Sequence, residues 1–470
     1  MRPPLAIHSS FVKEGQHSSV THIFCYCFAA WSVAGCGASR LSDLGALKQA
    51  SPTTKKMWSH QRKWRKFKSP LEFPLEAKYR PILESTFPID PMSRFNLKRG
   101  SPQEEFPYLR GNHTLMGEIL TLHLYTRQFH RATESGVIFD DIIRPGLEDP
   151  GKPTEPGQVK SVGCLAGDAQ SYILFCDFFD RIIEAYHDYK MTSTQESDFN
   201  SGNLKGGEDF DAAYAVSCEI RAARCVEDFC FPMHCSRGER RALLSLAQKA
   251  LTKLSEEFPG KLYSMEQLSQ DGDGKGLSMM SPSPAMCKIG VARDWPSARA
   301  VWVSENGQLV ILVNFEDHLK LECTRTDANL QLAFDCICAN LLRLEKLYKN
   351  LRHTFVWKEH LGWVVSSPAE VGTALKASVT VRLQHLPGHK RLENVLDRLR
   401  LHMIPTDKPG LYIVTNTPTI GFTEVGVVQL VVDGVKLLIS MEKRLENHGG
   451  IDDLVPTHKL SGYTDTQLHV

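Results

Sequence analysis

WKEHLGWVVSSPAEVGTALKASVTVRL, residues 357–383, is the stretch from which the fold is read. Its end alternates Val379, Val381 and Leu383 with Thr380 and Arg382, the period of a short strand with one buried face. Ser366-Ser367-Pro368 and Gly372-Thr373 mark turns before it, signals too brief to name a chemistry unaided. Upstream, LVILVNF at residues 309–315 reads as a buried strand, and residues 332–347 as a long amphipathic helix. Further upstream, His234-Cys235-Ser236-Arg237-Gly238-Glu239 opens another helix. Ser236 caps its free amides, Glu239 three residues on completes a capping box, and Leu243, Leu244, Ala247, Leu251 and Leu254 form the buried stripe. Downstream, VVQLVVDGVKLLISMEKRLE at residues 427–446 sends two messages. Asp433-Gly434 suggests a hairpin turn, whereas Val425, Val428, Val432, Val435 and Ile439 keep a helical stripe.

The N-terminal half carries helical spacing in two places. Met116, Ile119, Leu120 and Leu124 predict a helix over residues 116–129, and Ile173, Phe175, Phe179, Ile182 and Ile183 predict one over 172–186. A polar segment, 191–209, reads as an interdomain linker. The first hundred residues differ in character. The apolar run at 23–38 falls short of the ~20 residues of a membrane span and sits too far from Met1 for a signal peptide. KKMWSHQRKWRKFK at 55–68 interleaves Trp58, Trp64 and Phe67 with basic residues, a mixture that suits an acidic surface or a disordered basic linker. Proline-rich sequence continues to Pro102, and order is expected from near Glu104. The C-terminal Leu468-His469-Val470 suits strand addition in a PDZ-type groove, or is an arbitrary hydrophobic tail.

Composition excludes several classes. The 470 residues hold 55 Lys plus Arg against 54 Asp plus Glu, a formal charge of +1 that argues against a whole-protein nucleic-acid binder. A hydrophobic share of 42% and a charged share of 23% are those of a soluble globular protein. The 13 cysteines are scattered without zinc spacing or a secretory leader, which points to reduced thiols in a cytoplasmic compartment. Cys25/Cys27 and Cys336/Cys338 are spaced too closely for a C-x-x-C clip. Asp271-Gly272-Asp273-Gly274 lacks the closing glutamate of a calcium loop, Pro282 standing there instead, and reads as a flexible loop. No G-x-x-x-x-G-K-[ST] occurs, so this is not a P-loop enzyme.

Longer motifs speak together. ARDWPSARAVW (292–302), NFEDHLKLE (314–322) and the opening stretch resemble the catalytic domain of the phosphagen (ATP:guanidino phosphotransferase) kinases, the cytosolic creatine kinases in particular. VGCLAGD (162–168), NLKGGEDFD (203–211), HCSRGERRA (234–242) and VQLVVDGVKL (428–437) resemble them in the same order, over about residues 104–460. The resemblance implies an α+β fold, with a small all-α N-terminal domain and a larger domain whose antiparallel β-sheet is flanked by helices. The division expected is an extension at 1–103, a helical domain at 104–190, a linker at 191–211, a catalytic-fold domain at 212–460 and a tail at 461–470. Residues 425–445 are then helix, against the Asp-Gly cue.

The implied chemistry moves a phosphoryl group between Mg-ATP or Mg-ADP and creatine or another guanidino compound. Little covalent work falls to such a protein; positioning and cations that neutralise the phosphate oxygens supply the catalysis. Arginine suits the task because its planar fork holds phosphate bidentately. By resemblance, the nucleotide-binding positions are Ser217, Cys218, Glu219, Ile220, Arg221, His234, Lys320 and Lys376. The catalytic positions are Glu316 and Ser367, and Phe139, Glu316 and Ala369 shape the guanidino pocket. The chain departs from the family at many of them. Glu219, Lys320, Lys376, Ile404 and Thr419 stand where arginines belong, the loop after Ile404 is shortened, and of the nucleotide-gripping arginines only Arg221 remains. Ser367 replaces the reactive cysteine, whose thiolate a neutral hydroxyl does not reproduce. Phe315 replaces the acidic neighbour of Glu316, and Leu312 a tryptophan near the nucleotide.

A carboxylate ~4 Å from a phosphate charge costs roughly 4 kcal/mol at an effective dielectric of 20. Loss of one transition-state arginine costs on the order of 10³–10⁵ in rate. The expectation is therefore a phosphagen-kinase relative of weak or absent activity; the alternatives are an active, substrate-shifted kinase and a non-enzymatic scaffold or adaptor. A homodimer, or a heterodimer with a related kinase, is expected from the cytosolic isoforms, with no nucleic-acid partner, no metal site of its own and no stable membrane span.

Overall fold

The computed structural model describes residues 100–153, 159–270 and 281–460. The expectations for residues 23–38, 55–68, 271–274 and 468–470 concern positions outside them. Among the described residues no helix is long and apolar enough to cross a membrane.

Helices build the N-terminal unit: α1 (Leu115–Ile119), α2 (Leu122–Gln128), α3 (Phe139–Glu148), α4 (Ala169–Leu174) and α5 (Cys176–His187). The single helix expected over 116–129 is two, because Thr121 interrupts it and its side chain caps the second, accepting from the Leu124 N–H at 3.2 Å. The helix expected over 172–186 is likewise broken at Phe175, which leaves the helical region (ψ 29°) and joins α4 to α5. The periodic positions Met116, Leu120, Leu124, Phe175, Phe179, Ile182 and Ile183 are still buried in one core, whereas Ile173 is 57% exposed.

The larger unit is an eight-stranded antiparallel sheet in the order β2-β3-β4-β5-β1-β8-β10-β9. Its strands are β1 (Ala215–Arg224), β2 (Gly260–Ser264), β3 (Ala300–Ser304), β4 (Leu309–Val313), β5 (Leu319–Arg325), β8 (Leu375–Arg382), β9 (Leu401–Pro405) and β10 (Leu411–Asn416), while β6 (Trp357–Lys358) and β7 (Gly362–Trp363) pair separately. Its longer helices are α6 (Arg237–Leu254), α7 (Leu330–Asn350), α8 (Leu392–Leu399) and α9 (Glu424–Glu446). The capping box at Ser236 and Glu239 is present at the start of α6.

The ambiguous C-terminal segment is one continuous helix, capped by Thr423. Gly434 inside it is explained by close approach: a Cβ there would sit 2.2 Å from Leu401 Cδ1, so the glycine admits β9 against the helix and forms no turn. Helix α9 also holds the linker. Buried Glu424 accepts from the Asp198 N–H (2.8 Å), Ser197 Oγ (3.0 Å) and Trp363 Nε1 (3.2 Å). Farther along, Gln429 accepts from the Lys205 N–H, and Lys436 and Lys443 pair with Asp209 and Asp211. Gln195 bridges the Phe422 carbonyl and the Gly421 N–H just before the helix.

Candidate functional site

Opposed residues in an antiparallel sheet share a face, so register decides what meets what. Glu219 lies opposite Thr324 and Ser378, and Arg221 opposite Glu322 and Lys376. Lys320 lies opposite Ala223 and Leu312. One face therefore gathers Ser217, Glu219, Arg221, Lys320, Glu322 and Lys376, and Ile404 on β9 joins it through Ile413 and Thr380. Cys218 and Ile220, expected at the nucleotide, alternate onto the other face. They are 2% and 0% exposed, packed in the helix-covered core, so their side chains do not reach a ligand on the first face.

Charge on the polar face is largely self-paired. Arg221 Nε lies 3.7 Å from Glu219 Oε1. Lys320 Nζ lies 3.5 Å from Glu322 and 3.8 Å from Glu316. Burial works against the Lys320 charge, but Glu316 and Glu322 outweigh it and hold the ammonium protonated. Burial raises the Glu219 carboxyl above its usual range; Arg221 opposes the shift and Glu322 adds to it. Lys376 donates to the carbonyls of Thr417 (2.8 Å) and Asn416 (3.1 Å). Burial, with a further push from Arg221, lowers it to about 8 against the pull of Glu370. Sequence reasoning missed Glu322; its signal was the two-residue spacing from Lys320, which puts both side chains on one face.

Two loops meet at the edge of this face. Ser366 ties them, its N–H donating to Asp317 Oδ1 (2.9 Å) and its hydroxyl to the Glu316 carbonyl (3.0 Å). That bond sets Glu316 and Ser367 on neighbouring loops, both part-exposed. Glu316 Oε2 has no hydrogen-bond partner. Ser367 Oγ accepts from the Ala369 N–H (3.3 Å), a local turn that includes the third residue expected here. Asp317, a residue that the sequence reading left aside, is buried and also accepts from Cys225 Sγ. Burial, then Glu370, raises its carboxyl to about 6. The N-terminal unit steadies the Ser366 loop through Ala166 N–H to the Ser366 carbonyl (2.8 Å) and Tyr172 OH to the Val365 carbonyl (2.9 Å). His234 Nε2 lies 3.1 Å from the Ser135 carbonyl, linking the start of α6 to the same unit.

Other expected positions lie elsewhere. Phe139 is 1% exposed, its ring 5.1 Å from Phe178 and 5.6 Å from Phe175. Its ring belongs to the aromatic core of the N-terminal unit. Thr419 is fully buried and donates to the Val371 carbonyl at 2.7 Å. Leu312 faces the polar side but joins an apolar cluster with Val301, Val310, Phe315 and Met286. The shortened loop after Ile404 is a tight β9–β10 connection with Gly410 at φ 75°.

The chain resembles known proteins along most of its length. Residues 110–184 match the family described as ATP:guanido phosphotransferase, N-terminal domain, and residues 242–445 the ATP:guanido phosphotransferase, C-terminal catalytic domain. It is 39% identical over 382 residues to the testis isozyme of creatine kinase from Oncorhynchus mykiss, covering 79% of this chain and 99% of that one. It is 40% identical over 369 residues to creatine kinase M-type from Sus scrofa, covering 76% and 96%. The crystal structure of lombricine kinase superposes with a TM-score of 0.69 at 29% identity, covering 77% of this chain and 100% of that one.

Proposed function

The chain belongs to the ATP:guanido phosphotransferase family, and from that premise we propose that it is a creatine kinase-like member too poor in phosphate-binding groups for ordinary catalysis. One observation carries this reading. Glu219 stands where the family places an arginine, and the three remaining cations of the polar face already have partners: Arg221 has Glu219, Lys320 has Glu316 and Glu322, and Lys376 has two carbonyls. A triphosphate entering this face would have to displace carboxylates from their cations and then lie beside them. The residue set does not fit a magnesium nucleotide.

A second reading rests on Glu316. Its part-exposed side chain keeps an acidic group on the loop that Ser366 ties to the loop of Ser367 and Ala369, although one of its oxygens faces Lys320 at 3.8 Å, and a carboxylate favours a guanidinium. On that reading the chain is a weak or substrate-shifted phosphagen kinase for creatine or another guanidino compound. Pairing with a second copy or a related kinase goes with both readings and rests on the resemblance to cytosolic isoforms; sedimentation tests it.

The deciding experiment is a coupled assay of the purified protein with MgADP and phosphocreatine. The first reading expects turnover at least about a thousandfold below ordinary creatine kinase; turnover within about a hundredfold overturns it. Calorimetry with MgADP is expected to give little or no heat.

A further inference from the structure

His187, the last residue of α5, is 1% exposed, and both nitrogens of its ring are engaged. Nε2 lies 2.9 Å from the Pro368 carbonyl, and Nδ1 faces the Thr419 N–H at 3.4 Å. An amide N–H only donates, so Nδ1 accepts and the ring proton sits on Nε2, which donates to Pro368. Burial lowers the ring to about 3 against the pull of the Pro368 carbonyl, with a smaller push from Lys376 and Arg400, and keeps it neutral. The backbone of His187 is fixed as well. The Arg400 guanidinium, just past the end of α8, donates to its carbonyl, and Asp188 then turns the chain away at φ 53°.

Pro368 stands between Ser367 and Ala369, two of the positions expected on the guanidino side. The Ala369 N–H donates to Ser367 Oγ and the Glu370 N–H to the Ser367 carbonyl (3.0 Å), which closes a turn around Pro368. Thr419 grips the far end of that turn, its hydroxyl donating to the Val371 carbonyl and its own carbonyl accepting from the Thr373 N–H (2.8 Å). One imidazole therefore joins the N-terminal unit, the turn and the segment that leads into α9. The bonds from Tyr172 and Ala166 reach the loop at Val365 and Ser366, before the turn, whereas the bond from His187 lands inside it.

We propose that His187 is a positioning residue, the link through which the N-terminal unit sets where Ser367 and Ala369 stand relative to Glu316. Its functional meaning rests on the reading of those three residues as a guanidino pocket. Without the Nε2 donor the Pro368 carbonyl is left buried and unpaired, and the turn rearranges to find another partner. A displacement of α5 is passed to Ser367 by the same bond.

The test uses the full chain carrying Ser367→Cys, whose thiol reports on the turn. Its rate of iodoacetamide alkylation is read by mass spectrometry, with the exposed Cys176 and Cys287 as internal standards. Adding His187→Leu removes both ring bonds and is expected to change that rate several-fold while the standards keep theirs. His187→Gln, whose amide reaches the place of Nε2, is expected to hold the parent rate. His187→Asn, whose amide reaches only the place of Nδ1, is expected to behave like His187→Leu. An unchanged rate in His187→Leu, equal rates in the Gln and Asn variants, or a change shared by the standards would each overturn the proposal. Nitrogen NMR of the histidine-labelled chain with His187 intact decides the matter even if the variants fail to fold. It is expected to show Nε2 protonated and Nδ1 bare near pH 7; the opposite tautomer or a charged ring overturns the link. None of these readouts needs turnover or a guanidino compound, so the pocket reading and the link can fail separately.

Discussion

Strand β1 presents two faces that obey different rules. Toward the helices, Cys218, Ile220 and Ala222 are all but sealed from solvent, and any well-shaped apolar residue would serve there. Toward the polar side, Glu219 and Arg221 stand part-exposed in a ring of charges, where a change of sign leaves the backbone untouched and reverses what the face can hold. On the proposed reading the first face carries the fold and the second would carry any activity. A sequence can keep one while losing the other.

The largest expected effect breaks this comparison on its polar side. Glu219→Arg, Ile404→Arg and Ser367→Cys together should raise phosphocreatine-dependent ATP formation by about 10³ or more, since each arginine returns a cation to the phosphates. No rise would mean that the face has diverged beyond these positions. Next comes the apolar side: Ile220→Ala should cost about 2–5 kcal/mol in denaturant unfolding, with any residual activity changed only through the folded fraction.

Lys376 tests whether the polar face weakens the fold that carries it. Its folded pKa of about 8 lies below the ordinary 10.5, because burial disfavours the charge. The unfolded chain binds the proton more tightly, so stability should rise between pH 8 and 10.5, by up to about 3 kcal/mol. Lys376→Met should flatten that slope in pH-dependent unfolding. The smallest effect is expected from Lys320→Arg added to the triple variant. Glu316 and Glu322 already claim the charge at this position, and the rate should change by less than about tenfold.

Helix starts, the apolar strand Leu309–Val313 and the long stripe of α9 were legible because burial periodicity and caps are local properties. The breaks at Thr121 and Phe175 were not, since a polar cap inside a periodic run leaves the period intact. For the site, alternation alone would have sent Cys218 and Ile220 to the core side of the strand, had it been applied to them. The fates of Phe139 and Thr419 depend on contacts with Phe178 and with the Val371 carbonyl, distant in sequence, which no local pattern carries. Gly434 was the misleading cue. The residue that reads as a turn is there to let Leu401 approach.

Helix α9 and the residues just before it take hold of the segment between the two units at several points, from Gln195 to Asp211. A chain fastened that often along a stiff rod acts as a splint, and bending it requires several bonds to open together. Force applied to the ends of the protein should therefore peel the N-terminal helices away from α5 before the strap along α9 yields. Cutting the Glu424 anchor alone, by Glu424→Gln, should lower the force at which the strap lets go while leaving the sheet's own rupture unchanged.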